Sequence, residues 1–301
     1  LPKGTIIHHR GLINLLEWYI KTLGIQALDS TLIISSPGFD LTQKNLLSPL
    51  LCGAKVVFPV ADFYDVKQFC QIIAEQQISW LNCAPSAFYP LVDLPAGEEN
   101  TEQRFQQLTS LRALVLGGEP IVVNNMLGWI DSSHCQTVLF NSYGPTECSD
   151  IASCYRIDNP LDFLQLPIPI GKPIQNVQLR VLTADTQVVP IGVVGELCIG
   201  GVGVGPGYYQ QEDLTRDRFI PDPFNKSIPS ARLYRTGDLG RLRADGEIVY
   251  MGRRDHQVKI RGNRIELGEI ESVLKQHPAI QDAVTIARED RLGDQRLVTY
   301  L

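Results

Sequence analysis

The first half of the chain alternates between helix-like and strand-like apolar segments, and this alternation restricts the possible folds more than any other feature. Apolar residues recur at helical spacing over 12–20 and 46–51, and Gly53 follows the second run as a natural C-terminal cap. Asp65 is placed to cap a further helix over 65–77. Short apolar runs typical of buried strands cover 55–58, 78–81 and 111–116, and a helix is predicted from about 122. The pattern predicts an α/β fold with a mostly parallel sheet covered by helices on both faces.

The sequence changes character beyond Pro167. Strand-like alternation over 177–182, 195–199 and 241–250, with many Gly and Pro residues between the strands, predicts antiparallel β structure. Asp245-Gly246 marks a hairpin turn within the last of these runs. We therefore predict a small antiparallel β-barrel unit after the α/β part.

A third unit begins after Arg253, where strand, helix and strand patterns follow one another over 257–260, 267–276 and 283–287. It is too short for a complete domain. Because the chain begins without Met and its last residues resemble an interrupted strand, we expect a segment of a longer protein. The predicted division is 1–166 for the α/β part, 167–254 for the barrel-like part, and 255–301 for the hinge and the truncated start of a small, mobile α+β C-terminal subdomain.

Composition excludes several classes of protein. The 301 residues are 44% hydrophobic, which allows a large buried core. A formal net charge of −6 argues against a nucleic-acid partner. No signal peptide is seen, and no apolar run reaches the roughly 18 residues that a membrane helix needs. Seven cysteines without CxxC pairs indicate reduced thiols in a cytoplasmic protein, and the five histidines lack metal-ligand spacing.

Residues 141–147, Asn-Ser-Tyr-Gly-Pro-Thr-Glu, form the most informative polar segment. We predict a loop between strands over 136–140 and 151–156, and loops at strand ends of α/β sheets often bind ligands. The segment offers an aromatic ring, an amide, a hydroxyl and a carboxylate, which suit a purine, its phosphates and Mg²⁺. A Gly-Pro turn with a surface Glu would have the same sequence, so this segment alone does not distinguish a nucleotide-binding loop from an ordinary turn.

Two glycine-containing segments also suit a nucleotide. Gly117-Gly118-Glu119 follows a predicted strand, where glycines let a flat ring or a phosphate approach the backbone, or simply form a tight turn. Asp238 follows Gly237 and could accept two hydrogen bonds from a ribose diol, or be a solvated turn residue.

Charged residues at two other places have similar alternatives. Arg253 could reach ribose or phosphate oxygens with its forked guanidinium, while its neighbour Arg254 resembles exposed linker charge. Asp40 lies between a strand and a helix, where it could cap the helix or bind a substrate ammonium.

Taken together, six segments in a fixed order resemble the adenylation domains of nonribosomal peptide synthetases, in the larger family that includes acyl-CoA ligases and firefly luciferase. They are Pro-Lys-Gly at 2–4, Phe-Asp-Leu-Thr at 39–42, residues 141–147, Gly-Glu-Leu at 195–197 with 200–208, residues 234–239, and residues 252–271. The resemblance covers nearly the whole chain. It implies ATP-dependent activation of an amino acid as aminoacyl-AMP with release of pyrophosphate. Transfer to the phosphopantetheine thiol of a peptidyl carrier protein would follow, with a condensation domain expected in the same polypeptide.

The resemblance also implies roles for individual residues. Tyr143 would stack on adenine, Asp238 and Arg253 would bind the ribose, and Thr146 and Glu147 would be catalytic, with Glu147 as the Mg²⁺ ligand. The nucleotide-binding residues would be Lys3, Gly117, Gly118, Glu119, Asn141, Tyr143, Gly144, Thr146, Asp238 and Arg253.

The remaining implied roles concern the hinge and the amino acid. Asp255 would be the hinge, and Gly262 would approach the carrier-protein arm. Asp40 would bind the α-amino group, which acyl ligases have no reason to keep. The side-chain pocket would be lined by Leu41, Lys44, Asn82, Leu114, Leu116, Ser142, Asp150 and Ile151. Because an unpaired buried charge is costly, Lys44 and Asp150 are expected to face each other or a polar substrate, and we expect a polar substrate side chain.

Two other functions stay open at this point. One is an acyl- or aryl-CoA ligase with the same nucleotide machinery, and the other is a non-catalytic remnant that serves as a docking scaffold. The body of the family's phosphate loop and its catalytic lysine would both lie outside residues 1–301. The chain alone is therefore expected to bind nucleotide poorly and to show little or no activity.

Overall fold

The structure is a computed structural model that describes residues 3–59, 64–93, 101–255, 257–260, 263–277, 279–291 and 294–301. The α-helices in these ranges are α1 (His9–Leu23), α2 (Asp40–Cys52), α3 (Val66–Gln76), α4 (Pro85–Val92), α5 (Thr101–Gln107), α6 (Leu127–Ile130), α7 (Glu212–Arg218) and α8 (Leu267–Leu274). Within these ranges, no helix combines the length and apolar character needed to cross a bilayer.

The β-strands in the same ranges fall into five sheets, of which two are large. In chain order they are β1 (Thr5–Ile6), β2 (Ser30–Leu32), β3 (Lys55–Val57), β4 (Trp80–Cys83), β5 (Ala113–Gly117), β6 (Val138–Tyr143), β7 (Ser153–Ile157), β8 (Lys172–Pro173), β9 (Val177–Leu182), β10 (Val194–Gly201), β11 (Gly207–Tyr208), β12 (Phe219–Pro221), β13 (Arg232–Leu242), β14 (Ile248–Arg253), β15 (Val258–Ile260), β16 (Asn263–Ile265), β17 (Val284–Arg291) and β18 (Asp294–Tyr300).

The larger sheet has seven strands in the order β3-β2-β4-β5-β6-β7-β8. The pairs from β3 to β6 are parallel, whereas β7 and β8 join antiparallel at one edge. The carboxyl ends of β4, β5 and β6 therefore lie side by side. This arrangement confirms the predicted mostly parallel sheet.

Both faces of this sheet are covered, because neighbouring residues in its strands enter different cores. Trp80 belongs to the same buried cluster as Tyr19 of α1, while Leu81 belongs to a second cluster with Phe69 of α3 and Phe88 of α4. Burying a side chain of this size contributes about 1.5–3 kcal/mol, so the two clusters hold helices to both faces. The predicted covering by helices on both faces is confirmed.

Helix ends follow the sequence signals. The Asp65 carboxylate accepts hydrogen bonds from the backbone amides of Lys67 (2.9 Å) and Gln68 (3.2 Å) at the start of α3. Gly53 ends α2 in the left-handed conformation, with φ of 70°. Both predicted caps are confirmed.

The second large sheet is antiparallel throughout, as predicted, with the order β12-β13-β10-β9 and with β14 also paired to β13. The predicted turn at Asp245-Gly246 lies between β13 and β14, and Gly246 has φ of 83°. Leu197 and Tyr234 of this sheet belong to the same buried cluster as Tyr19. The described strand pairs form an open path, and the unit shares a core with the α/β part.

Two motifs lie in strands where the sequence predicts loops or turns. Asn141, Ser142 and Tyr143 end β6, because they pair with β5 on one side and β7 on the other. Asp238 lies within β13, where its register partner is Arg253 of β14. Both segments take part in strand pairing, which their polarity does not reveal, and the Asp238 amide also donates to the Thr236 hydroxyl at 2.9 Å. The predicted loop was wrong for residues 141–143, and the alternative in which Asp238 is a solvated turn residue was wrong because Asp238 is buried within β13.

The C-terminal part contains the β15–β16 pair, α8 and the β17–β18 hairpin, close to the predicted strand-helix-strand order. Gly262 lies outside the described residues. The larger sheet continues to Lys172–Pro173, and the predicted segment boundaries stay predictions.

Candidate active site

Two adjoining cavities lie at the carboxyl ends of β4, β5 and β6. Their volumes are about 280 and 1070 Å³. Four residues line both cavities: Gly118, Ser142, Gly144 and Arg253. Ligands of open α/β sheets bind at this edge, so the cavities form the candidate site.

Most of the sequence-predicted residues line one cavity or the other. Those at the first cavity are Asp40, Leu41, Lys44, Asn82, Gly117, Gly118, Ser142, Gly144, Thr146, Asp150, Ile151, Asp238 and Arg253. Those at the second cavity are Gly118, Glu119, Asn141, Ser142, Tyr143, Gly144, Arg253 and Asp255. The second cavity also reaches the C-terminal part, where Leu267, Gly268 and Glu271 line it.

Tyr143, Asp238 and Arg253 meet where the two cavities join. The Tyr143 hydroxyl donates to Asp238 Oδ2 at 2.6 Å, and Arg253 Nη1 donates to Asp238 Oδ1 at 2.6 Å. Asp238 is 4% exposed, so its charge is compensated by these two donors in a buried place. Burial and the neighbouring Asp238 charge raise the pKa of Tyr143 well above its usual value, which keeps the phenol protonated.

Arg253 also binds the carboxylate of Asp255. Its Nε and Nη2 atoms donate to the two oxygens of Asp255 at 2.6 and 2.8 Å, a bidentate pair. Although partial burial pushes the pKa of Asp255 upward, the hydrogen bonds and charge of Arg253 outweigh it, and the pKa is lowered. The predicted hinge residue is therefore tied to the predicted ribose-binding arginine.

Asp40 and Thr146 are 106 residues apart in sequence and contact each other in the first cavity. The Thr146 hydroxyl donates to Asp40 Oδ2 at 2.5 Å. Asp40 is the first residue of α2, and its Oδ1 atom accepts from the amide of Leu41 at 2.8 Å. Gly144 is required nearby, because a Cβ atom at this position would overlap the backbone carbonyl of Asp150.

Lys44 and Asp150 form an ion pair in the wall of the same cavity. Lys44 Nζ lies 2.5 Å from Asp150 Oδ2. Ser149 and Asp150 both have positive φ angles, 61° and 73°, an uncommon backbone for residues other than glycine. The Ser149 hydroxyl supports this turn by donating to the Gly203 carbonyl at 2.9 Å. Of the two predicted alternatives, the one in which Lys44 and Asp150 face each other is confirmed.

Leu114 and Leu116 of the predicted pocket lie elsewhere. Both are completely buried in the cluster that α3 and α4 cover. Asn82 pairs with Val115 across β4 and β5, and Val115 belongs to the other cluster. Because strand residues alternate between faces, Val115 and Gly117 share the face of Asn82, and the two leucines point to the opposite face.

Glu147 lies behind Thr146 in a short 3₁₀ turn and is 3% exposed. Tyr208 of β11 donates its hydroxyl to Glu147 Oε1 at 2.7 Å. The described residues contain no group of three or more His, Cys, Asp or Glu side chains arranged to hold a metal. Glu147 lines neither cavity, although the preceding residue, Thr146, lines the first. A single carboxylate beside substrate phosphates would fit Mg²⁺, which keeps several waters and takes its other ligands from those phosphates.

Three other predicted nucleotide residues are held by protein partners. Lys3 Nζ lies 2.5 Å from Glu266 Oε1 at the start of α8. The Asn141 amide donates to the carbonyl of Pro169 at 2.8 Å, and Glu119 Oε2 accepts from the amide of Ser86 at 3.2 Å. Asn141 and Glu119 therefore also shape the wall of the second cavity.

Sequence reasoning missed several residues that complete the site. Thr236 and Cys83 line the first cavity, and Ile168 and Tyr250 line the second. Tyr208 contacts Glu147 and lies within residues 200–208, which already carried the family resemblance. Its phenol at the end of that glycine-rich segment was a usable signal, whereas nothing in the sequence distinguishes Ile168 or Tyr250.

Comparison with known proteins agrees with this geometry. The family model of the AMP-binding enzyme matches residues 1–209. Tyrocidine synthase 1 of Brevibacillus parabrevis is 37% identical over 300 residues, which cover 99% of this chain and 26% of that protein. A dimodular nonribosomal peptide synthase of Bacillus subtilis (strain 168) is 38% identical, covering 100% of this chain and 12% of that protein. The chain thus spans a small part of these relatives.

A solved structure shows the same fold. It is an artificially fused adenylation–PCP di-domain NRPS from Klebsiella oxytoca, with a TM-score of 0.85 and 28% sequence identity. The match covers 99% of this chain and 52% of that one. The chain belongs to the family of AMP-binding enzymes and, within it, to the adenylation domains of nonribosomal peptide synthetases.

Proposed function

We propose that the protein carrying this chain activates an amino acid with ATP. A carboxylate oxygen of the amino acid attacks the α-phosphorus, the bond to the terminal diphosphate breaks, and aminoacyl-AMP and pyrophosphate form. The thiol of a phosphopantetheine arm on a carrier domain then loses its proton and attacks the acyl carbon, so that a thioester forms and AMP leaves. A condensation domain in the same polypeptide would use that thioester.

The convergence of Tyr143, Asp238 and Arg253 supports this proposal more than any other observation. A carboxylate has about four lone pairs, and Asp238 uses one for Tyr143 and one for Arg253 among its described contacts. Ribose hydroxyls can therefore donate to Asp238 without breaking either bond. The Tyr143 ring lines the larger cavity beside Gly118 and Glu119, where an adenine ring would stack.

Asp40 and Thr146 suit the amino-acid end of the reaction. Asp40 would accept the α-ammonium group and so fix the substrate carboxylate for attack. The Thr146 hydroxyl donates its hydrogen bond to the same carboxylate. When the ammonium group binds Asp40, that hydroxyl can turn to a phosphate oxygen instead.

Glu147 would hold the Mg²⁺ that accompanies ATP, with Tyr208 fixing one of its oxygens. The ion would supply positive charge to the phosphates. Lys3 would add a second positive charge at the phosphates, and Asp255, bound to Arg253, would be the hinge of the C-terminal subdomain.

Pyrophosphate exchange by the full-length protein tests the proposal. We expect ATP-dependent exchange with at least one α-amino acid, and a loss of about 100-fold or more in Asp40→Ala, because the α-ammonium group loses its counter-ion. Asp185→Ala is the matched control, since Asp185 is exposed in a turn and lines neither cavity. Its exchange should equal that of the wild type.

The same assay separates the other two functions. A CoA ligase would exchange with fatty or aryl acids and would be nearly indifferent to Asp40→Ala. A non-catalytic scaffold would show no exchange with any acid. Either result would contradict the proposed amino-acid activation.

A further inference from the structure

The two members of the Lys44–Asp150 ion pair in the first cavity differ in exposure. The side chain of Lys44 is 1% exposed, whereas that of Asp150 is 14% exposed. Both residues line the cavity, and Asp150 contributes the more exposed side chain of the two. Asp150 is therefore the member of the pair that is more accessible to a substrate side chain.

Lys44 uses its hydrogen-bonding capacity within the protein. An ammonium group has three N–H donors. They reach Asp150 Oδ2 at 2.5 Å, the Leu41 carbonyl at 3.3 Å and the Asn82 side-chain oxygen at 2.9 Å. The last contact belongs to the Asn82 orientation in which its NH₂ group donates to the Val115 carbonyl at 3.1 Å. These three contacts account for all three donors, so the lysine offers none to a substrate.

Ser142 and Asp150 both present acceptors to this region. The Ser142 hydroxyl donates to the Leu116 carbonyl at 3.1 Å, so its lone pairs are what it offers to a ligand. Asp150 is a carboxylate, which accepts several hydrogen bonds at once. A side chain with an N–H or O–H group complements this surface, and one with only acceptors does not.

Charge balance then favours a neutral side chain. Among the charged residues of the first cavity, Lys44 balances Asp150, and the substrate α-ammonium would balance Asp40. Asp238 and Arg253 are paired with each other. A further charge on the side chain would be buried without a partner, which is costly. The apolar walls formed by Leu41 and Ile151 suit a short hydrocarbon stem below the donor.

We infer that the substrate is an α-amino acid whose side chain is neutral and ends in a hydrogen-bond donor, a hydroxyl or a carboxamide, that donates to Asp150. The inference rests on the proposed function and adds the substrate class to it. It follows from the ion pair, in which the Lys44 side chain is almost completely buried and the Asp150 side chain is more exposed.

Pyrophosphate exchange by the full-length protein with paired amino acids tests the inference. The pairs are Thr with Val, Asn with Leu, and Tyr with Phe, together with Ser, Gln, Asp, Glu, Lys and ornithine. We expect the best substrate to be a neutral donor, at least about tenfold better in kcat/KM than its partner lacking the donor. Hydroxyl and carboxamide substrates appear as separate arms of the panel.

Each outcome of this panel decides between the claims. A best substrate with an aliphatic or charged side chain overturns the inference and leaves the proposed function intact. Absence of exchange with every amino acid overturns the proposed function, and the inference falls with it.

A double variant, Lys44→Met with Asp150→Leu, tests the ion pair itself. Replacing a buried pair by apolar groups of similar volume is often tolerated. The preference for the donor over its partner should fall from about tenfold or more to near unity, or reverse. An unchanged preference in a folded double variant overturns the inference. If thermal unfolding shows that the variant is not folded, the wild-type panel decides alone.

The matched control is Arg156→Met with Asp158→Leu. This pair is also ionic, with a distance of 2.9 Å, but its side chains are 63% and 82% exposed. Neither residue lines the first or the second cavity. The substrate ranking of this control should equal that of the wild type.

Discussion

Glu147 depends on a partner that is distant in sequence. Its carboxylate is 3% exposed, and a buried carboxylate is stable only with hydrogen-bond donors around it. The Tyr208 hydroxyl is one such donor at 2.7 Å, and it lies 3.3 Å from the hydroxyl of Tyr234. Tyr208 thereby fixes one oxygen of the residue that would hold Mg²⁺, which makes it a positioning residue for the proposed reaction.

Removal of the Tyr208 hydroxyl should separate its effect on the orientation of Glu147 from the packing of its ring. In Tyr208→Phe the ring stays against Phe219, with centroids 5.4 Å apart in the native protein, while Glu147 loses a donor. We expect a loss of about 1–3 kcal/mol in the free energy of unfolding. The Mg²⁺ concentration for half-maximal pyrophosphate exchange should rise several-fold, because the carboxylate is less well oriented. Urea unfolding and Mg²⁺ titration measure the two effects.

Tyr209→Phe is the control for this change. Tyr209 is the next residue and is 63% exposed, so removal of its hydroxyl should alter neither quantity. If Tyr208→Phe lost stability but kept the native Mg²⁺ dependence, Tyr208 would have only a structural role.

The end of α1 tests how much local backbone geometry contributes to the free energy of unfolding. Gly24 has φ of 59° and ψ of 44°, and no heavy atom lies within 4 Å of a Cβ built there. Gly24→Ala should therefore lower the free energy of unfolding by about 1 kcal/mol through backbone strain alone. Gly24→Asn should lose less, because Asn tolerates this conformation. Equal losses in urea unfolding would contradict this explanation.

The elements also show which features the sequence could predict. Asp65 and Gly53 carry local signals, and both caps are present in the structure. The sequence has no such signal for which face of β5 is turned to the pocket. Both faces of this strand are buried, and its apolar run shows no polar alternation. Periodicity therefore could not tell Leu114 from Val115, and only the two β5 positions of the predicted pocket, Leu114 and Leu116, were misplaced by one residue.

The candidate site consists of contacts between segments that are distant in sequence. Tyr143 and Asp238 are 95 residues apart, and Lys44 and Asp150 are 106 apart. Motifs identify such groups one at a time, and only the family resemblance placed them around one ligand. Their hydrogen bonds and the sharing of Arg253 between Asp238 and Asp255 required the tertiary structure.

One of these long-range contacts joins the start of the described chain to its C-terminal part. Lys3 and Glu266 are 263 residues apart and form an ion pair of 2.5 Å, with side chains 33% and 36% exposed. Glu266 Oε1 also accepts from Gln257 Nε2 at 2.6 Å. If Lys3 binds phosphate as proposed, ATP must take it from Glu266. The contact then links occupation of the phosphate site to release of α8.

This competition predicts the effect of Glu266→Gln on ATP binding. The substitution removes the charge but keeps an oxygen that can accept from Gln257, so local structure should persist. Because ion pairs as exposed as this one contribute up to about 1 kcal/mol, KM for ATP should fall by at most about fivefold at low ionic strength. The difference should shrink as salt screens the native pair. Glu269→Gln, at an exposed position in the first turn of α8, should leave KM unchanged. If Glu266→Gln had the native KM for ATP at low salt, Lys3 and Glu266 would not compete with the nucleotide.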